Sequence, residues 1–144
     1  MAHSYIPEGS PTVTPYLAVK GVSALIDFLT MVFDAKELDR LTLPDGRIMN
    51  AVVSIGNSRV MMGDPGYRPS EPSMLYVYVP DCDAVYASAI AAGATSLVEP
   101  VDMFYGDRTA AFQDASGNKW WVATHKEDVP HDELARRAAA ARRG

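Results

Sequence analysis

The sequence has few of the residues that usually build disulfides or metal centres. Its 144 residues include one cysteine, Cys82, and three histidines, His3, His125 and His131. A single cysteine excludes a disulfide within the chain and fits a reducing compartment, so we expect a cytoplasmic protein. Three histidines leave few imidazoles from which a metal site can be assembled.

Long apolar runs and an excess of basic residues are also missing. No apolar run approaches the ~18 residues of a membrane helix, and the N-terminal MAHSYIPEGS has neither the basic start nor the apolar core of a signal peptide. The formal net charge is −5, which argues against nucleic acid or an anionic membrane surface as a partner. We therefore expect a soluble protein that binds small molecules or other proteins.

What is present suffices for one globular core, since 48% of the residues are apolar. The basic residues are unevenly placed, with four arginines after residue 135, namely Arg136, Arg137, Arg142 and Arg143. We interpret this tail as the solvated face of a helix rather than a nucleic-acid contact. The helix is expected to start with a cap at Asp128 or Val129, just before Pro130.

Apolar periodicity predicts the same order of elements in both halves of the chain. In the first half it predicts a helix at 22–33 and strands at 12–19, 37–43, 47–55 and 58–62. In the second half it predicts a helix at 82–92 and strands at 74–79, 95–98, 108–113 and 119–124. The two halves align with an offset of 60 at Leu25 and Val85, and of 61 at Gly56 and Gly117.

The repeat defines the predicted organisation of the chain. We predict a leader at 1–10, a first βαβββ module at 11–66, a linker at 67–73, a second module at 74–126 and a C-terminal helix at 127–144. The fold class is α+β, with the two paired modules forming a curved sheet around a cavity.

Several motifs carry a family resemblance, which covers residues 11–135. They are Thr14-Pro-Tyr-Leu-Ala-Val, Pro44-Asp-Gly-Arg, Tyr105-Gly-Asp-Arg, Asp114-Ala-Ser-Gly-Asn-Lys-Trp and Ala123-Thr-His. This pattern resembles the glyoxalase/bleomycin-resistance/dioxygenase superfamily, also called vicinal oxygen chelate, and within it the PhnB-like branch. The resemblance implies a glyoxalase-like fold, a homodimer and a site inside each curved sheet.

The same resemblance implies a divalent metal held by His and Glu, and the matching positions lack both. The first-strand positions hold Thr14 and Met74, and the last-strand positions hold Trp121 and either Val60 or, if the register slips by one, Met61. The His-x-Glu pair of PhnB-like relatives falls on Asn50 and Val52. We therefore predict no metal and no other cofactor.

Strand alternation indicates what lines the site instead, because side chains at i and i+2 share one face of a sheet. The predicted ligand-binding residues are Thr14, Tyr16, Asn50, Val52, Met74, Tyr76, Tyr78, Tyr105 and Trp121. An aromatic and thioether-rich face suits a flat, apolar molecule. The alternative is that Tyr76, Tyr78 and Trp121 only fill the sheet interior or a dimer seam.

Two further groups have a structural and a chemical interpretation. Asp107 and Arg108 are either an acid with its partner or a structural ion pair, and we favour the ion pair. Cys82 lacks an evident base nearby in sequence, so we expect a small buried residue.

The leading hypothesis is a metal-free binding protein that sequesters a hydrophobic, aromatic natural product or antibiotic and so gives drug resistance. No catalytic residue is assigned under this hypothesis. The rival is a lyase, isomerase or dioxygenase of the same superfamily, with an atypical metal set such as Asp64, Asp107 or Glu99 or with metal-free acid–base work by Tyr or Asp. A structural or regulatory protein without a ligand is the third possibility.

Overall fold

The computed structural model of the chain describes residues 4–143, without the side chains of residues 142 and 143. His3 and the side chains of Arg142 and Arg143 lie outside this description. Two compact units are present: unit 1 comprises the described residues up to Ser73 with Ala115–Asn118, and unit 2 comprises Met74–Asp114 and Lys119 onward. Within residues 4–143, every helix is too short or too polar to cross a membrane.

Unit 1 contains one helix and a four-stranded mixed sheet. Its elements are β1 (Tyr16–Ala18), α1 (Val22–Phe33), β2 (Lys36–Thr42), β3 (Ile48–Ile55) and β4 (Ser58–Gly63). The strand order is β1-β4-β3-β2, in which β1 pairs parallel with β4 and the other pairs are antiparallel.

Unit 2 repeats this topology and adds a final helix. Its elements are β5 (Met74–Tyr78), α2 (Cys82–Ala91), β6 (Thr95–Asp102), β7 (Asp107–Gln113), β8 (Lys119–His125) and α3 (His131–Arg143). The strand order β5-β8-β7-β6 matches that of unit 1, again with one parallel pair. The two mixed sheets and three helices confirm the α+β class and the internal repeat.

The helices form where the sequence supplies an apolar stripe or a cap. In α1 the buried residues recur at helical spacing and are Val22, Leu25, Ile26, Leu29 and Val32. In α2 the side chain of Asp81 accepts a hydrogen bond from the Ala84 N–H at 3.1 Å, which satisfies one otherwise unpaired donor of the first turn. Cys82 is buried, as expected, and its thiol lies against the Val122 carbonyl.

Three predicted boundaries were wrong by more than one residue, each for a reason involving proline. The first strand begins at Tyr16 rather than 12, since Pro15 has no N–H to donate to the ladder. The edge strand β6 runs to Asp102 rather than 98, because its register shifts accommodate Pro100. Helix α3 begins at His131, and its first backbone bond runs from Leu134 N to Pro130 O, so neither Asp128 nor Val129 is its cap.

Alternation along β7 and β8 separates the face of the unit 2 sheet towards α2 from the opposite face, which we call the open face. The face towards α2 carries the buried Phe112, Trp120 and Val122. Thr109 belongs to the opposite face and is nevertheless fully buried. Within residues 4–143, its hydroxyl is the buried side-chain group for which no hydrogen-bond partner is found. Such a group costs stability because it loses its bond to water without replacement.

We expect Thr109→Val to raise the free energy of unfolding by about 1 kcal/mol, because valine keeps the shape and removes the unpaired hydroxyl. Thr124→Val is the matched control: its hydroxyl accepts from Cys82 N and donates to Val79 O, both at 2.9 Å. The control should lose about 1–3 kcal/mol. Urea unfolding measures both, and similar losses in the two variants would contradict the expectation.

Candidate functional site

The open face of the unit 2 sheet is aromatic. Along β5 the side chains alternate, so that Leu75 and Val77 are half-buried whereas Tyr76 and Tyr78 are 41% and 64% exposed. The rings of Tyr76 and Tyr78 contact each other edge to face, with centroids 5.4 Å apart. Met74 is exposed on the same face, as the alternation predicted.

Strand pairing places an indole beside this tyrosine pair. Tyr76 is the register partner of Trp121 on β8, and in unit 1 Tyr16 is the register partner of Met61 on β4. The repeat equivalent of Trp121 is therefore Met61. This register selects Met61 over Val60 as the last-strand position of the first module. Trp121 is half-buried, next to the fully buried Trp120 of the opposite face.

Both tyrosine hydroxyls bind one buried carboxylate. The Tyr76 hydroxyl donates to Asp107 Oδ2 at 2.8 Å and the Tyr78 hydroxyl donates to the same oxygen at 3.1 Å. Strand β8 lies between β5 and β7, so both side chains cross β8 to reach Asp107. The residue paired with both Tyr78 and Thr109 is Ala123, whose small side chain leaves room for the crossing.

The second oxygen of Asp107 is held by a histidine. His125 Nδ1 lies 2.8 Å from Asp107 Oδ1, and His125 Nε2 lies 2.6 Å from Asp128 Oδ1. The Asp107 side chain is 5% exposed, the His125 side chain 50% and the Asp128 side chain 100%. Both ring nitrogens thus face carboxylate oxygens, one buried and one in solvent.

Two sequence interpretations of this region were wrong. His125 is the last residue of β8 and pairs with Asp107 across the ladder, rather than lying beyond the strand. Arg108 does not pair with Asp107, because its side chain points to the other face of β7, where it binds Asp83 at 2.7 Å and Asp102 at 3.2 Å.

The cluster shifts the proton affinity of each member. Burial alone would raise the pKa of Asp107, but hydrogen bonds from His125, Tyr76 and Tyr78 outweigh it and hold that pKa below the ordinary 3.8. Asp128 and then Asp107 raise the pKa of His125 above 6.5. Burial and the bond to Asp107 raise the pKa of both tyrosines. The arrangement therefore favours an anionic Asp107, a protonated His125 and neutral tyrosines.

The loop between β6 and β7 brings Tyr105 to the same cluster, where it also raises the pKa of Tyr76. The loop closes through a bond from Gly106 N to Met103 O at 3.1 Å, and Gly106 O accepts from the backbone N–H groups of Lys126 and Glu127. Gly106 has φ 100°, and a Cβ there would collide with the Glu127 carbonyl oxygen. Only glycine fits where this loop meets the segment that carries Asp128.

Helix α3 is attached to that loop through one arginine. Arg137 Nη1 donates to the Phe104 carbonyl at 3.1 Å and to Glu127 Oε1 at 2.8 Å, and Nε donates to Glu133. The tail arginine that the sequence assigns to a solvated helix face therefore connects α3 to the loop that carries Tyr105.

Unit 1 has an open face of its own. A cavity of about 370 Å³ is lined by Pro7, Ser10, Thr14, Leu38, Asp39, Val52, Arg59 and Met61. Two predicted site residues, Thr14 and Val52, line it. Tyr16 is exposed in β1 and Asn50 is half-buried in β3. The predicted residues of unit 2, namely Met74, Tyr76, Tyr78, Tyr105 and Trp121, form the aromatic face described above.

The donor chemistry of the family's metal positions does not fit a hard divalent cation. Thr14, Met61, Met74 and Trp121 offer a hydroxyl, two thioethers and an indole. In the described part of the chain, no three His, Cys, Asp or Glu side chains are grouped to hold a metal ion. Of the atypical metal ligands that the sequence suggested, Asp64 lies near Lys20 and Arg47 in unit 1, and Glu99 is exposed in unit 2.

Sequence reasoning missed His125 and Asp128 as members of the site. The available signal was the hairpin: counting outward from the Gly117 turn pairs Asp107 with His125, and alternation puts both on the open face.

The raised pKa of His125 predicts a pH dependence of stability. A histidine that binds protons more tightly when folded stabilises the fold fully below pH 6.5, and this contribution disappears as the pH rises through the raised folded pKa. An NMR titration should place the pKa of His125 above 6.5, and Asp128→Ala should lower it. A wild-type value at or below 6.5 would contradict the ion pairs described here.

Comparisons with known proteins agree with the fold and the repeat. The sequence profile of the Glyoxalase/Bleomycin resistance protein/Dioxygenase superfamily matches residues 11–122. The uncharacterized protein Mb0911c of Mycobacterium bovis is 31% identical over 136 residues, which cover 86% of this chain and 90% of that protein.

Solved structures show the same architecture. TioX from Micromonospora sp. ML1 is 26% identical, with a TM-score of 0.64 over 78% of this chain and 95% of TioX. The PhnB protein from Bacillus cereus is 14% identical, with a TM-score of 0.66 over 79% of this chain and 99% of that chain. By the extent of the profile match and of the mycobacterial relative, the chain belongs to the glyoxalase/bleomycin resistance/dioxygenase superfamily.

Proposed function

We propose that this protein binds and sequesters a hydrophobic, aromatic small molecule without a metal ion. The observation that carries the proposal is the aromatic face of unit 2 opposite α2, where the exposed Tyr76 and Tyr78 lie beside the half-buried Trp121. Aromatic rings held in this way bury ~150–250 Å² each against a ligand and add ~0.5–1.5 kcal/mol per stacked pair.

The tyrosines are fixed before a ligand arrives. Their hydroxyls bind Asp107 and their rings contact each other, so little rotamer freedom is left to lose on binding. Preorganised aromatic surfaces of this kind favour tight binding, which sequestration requires, whereas no reacting group needs to be supplied.

The donor set supports the metal-free part of the proposal. The superfamily's enzymes use a divalent ion to polarise substrate oxygens, and the side chains at the corresponding positions here are poor ligands for such an ion. Elemental analysis of untreated protein tests this point, because one equivalent of Zn, Ni, Mn or Fe per chain contradicts it.

We expect aromatic ligands to quench the fluorescence of Trp121. The test is a titration with metal-free bleomycin, a panel of other aromatic antibiotics and the neutral probe 2-naphthamide. Trp121→Ala should weaken binding about 10-fold or more, since a central aromatic residue is typically worth ~1–3 kcal/mol. Because this variant lacks the fluorescent reporter, its affinity and that of the wild type are compared by calorimetry.

Tyr86→Ala is the matched control, because it removes an aromatic residue that lies on α2 and bonds Ser96. Binding that falls equally in both variants would show that the quenching does not report this face. If none of the compounds quenches the fluorescence, the result contradicts the proposal.

A metal-free enzyme is the second candidate, favoured by the Asp107–His125 pair. A half-exposed imidazole oriented by a buried carboxylate is an arrangement that general acid–base catalysis uses. The fate of the bound compound distinguishes the candidates: sequestration returns it unchanged, whereas an enzyme converts it over time in a reaction that His125→Gln abolishes.

A further inference from the structure

We propose that the ligand carries an anionic group, such as a carboxylate or an acidic phenol, which binds His125 Nε2 in the place that Asp128 occupies. This inference rests on the proposed aromatic binding face and adds the ligand's charge and orientation to it. The carboxylate of Asp128, 2.6 Å from Nε2, shows that the position already holds a group of this chemistry.

Asp128 is a readily displaced occupant. Its side chain is fully exposed, and it lies in the segment between β8 and α3, outside any helix or strand. No second hydrogen bond of its side chain occurs among the described residues. An exposed ion pair contributes little net stability, because water solvates both charges well, so a carboxylate delivered by a stacked ligand can replace it.

The opposite side of the ring is fixed. Asp107 binds Nδ1, and its two oxygens accept hydrogen bonds from His125, Tyr76 and Tyr78. The imidazole is therefore oriented with Nε2 on the side away from Asp107, facing Asp128, and carries a proton on each nitrogen when charged. Since Nδ1 is committed to the buried carboxylate, the donor available to a ligand is Nε2–H.

His125 lies at the polar end of the tyrosine pair, because both tyrosine hydroxyls and His125 Nδ1 bind the same carboxylate, Asp107. Alternation along β8 also places His125 on the face that carries Trp121. An aromatic acid bound against the tyrosine rings therefore has a half-exposed imidazole at the polar end of the pair, to which its anionic group can bond.

The neighbouring charges leave His125 as the positive group of the face. Arg108 and then Lys126, the residue after His125, lower the pKa of Asp83 in α2, on the other side of the sheet. Arg137 is paired with Glu127 and Glu133, and Arg108 is paired with Asp83 and Asp102. Aromatic rings above a carboxylate also suit a cation. Here, however, the Asp107 oxygens are occupied by three donors, and an anion is the better match.

Three probes of one shape test the charge: 2-naphthoate, neutral 2-naphthamide and cationic 2-naphthylmethylammonium. At pH 6, naphthoate should bind about 10-fold more tightly than the amide, as one charge-assisted hydrogen bond provides. His125→Gln should abolish this preference, so that naphthoate and the amide bind this variant with about equal affinity. In the wild type, the preference for naphthoate over the amide should fade as the pH rises past the pKa of His125. The titratable groups around the His125 ring are Asp107, Asp128, Tyr76 and Tyr78.

Asp128→Ala should increase the preference for naphthoate over the amide about 2–5-fold, because it removes the internal competitor for Nε2. Asp132→Ala is the matched control, since it removes another exposed aspartate, which pairs with Arg136 on α3. Equal binding of naphthoate and naphthamide, or tighter binding of the ammonium, overturns the inference. Failure of the neutral amide to bind argues instead against the aromatic face itself.

Discussion

The candidate site depends on a buried carboxylate that is stabilised by hydrogen bonds from three side chains. A charged Asp107 would be costly at this depth without donors, and Tyr76, Tyr78 and His125 supply them. In return, the carboxylate fixes the orientation of two exposed rings and one imidazole. Strand β5, the end of β8 and the segment after β8 are thereby joined at one point of β7.

The two units show how one backbone plan carries different chemistry. The row that holds Tyr76 and Trp121 in unit 2 holds Tyr16, Met61 and Val52 in unit 1. Unit 1 thus offers a cavity with aliphatic and thioether walls beside the charged Asp39 and Arg59, whereas unit 2 offers aromatic rings in edge-to-face contact beside Asp107 and His125. Neither row carries the imidazole and carboxylate ligands that bind metal in the superfamily.

The sequence was sufficient to predict the repeat, the fold class and the alternation of side chains between the two faces of each sheet, because these follow from periodicity and turn residues within each half. Which residues meet across strands was harder to predict. The contact between Asp107 and His125 needs the β7–β8 register, and the tyrosine contacts need the knowledge that β8 separates β5 from β7. The length of β6 escaped prediction because an edge strand tolerates a proline that a central strand does not.

The segment from Lys126 to Pro130 has a consequence for how this protein can change over generations. It contacts the site through Asp128 and the loop through Glu127, yet none of its side chains belongs to a buried core. Substitutions here therefore bear little on whether the chain folds, while they bear directly on the charge that a bound molecule meets. Selection can retune ligand preference at this segment and leave both sheets unaltered.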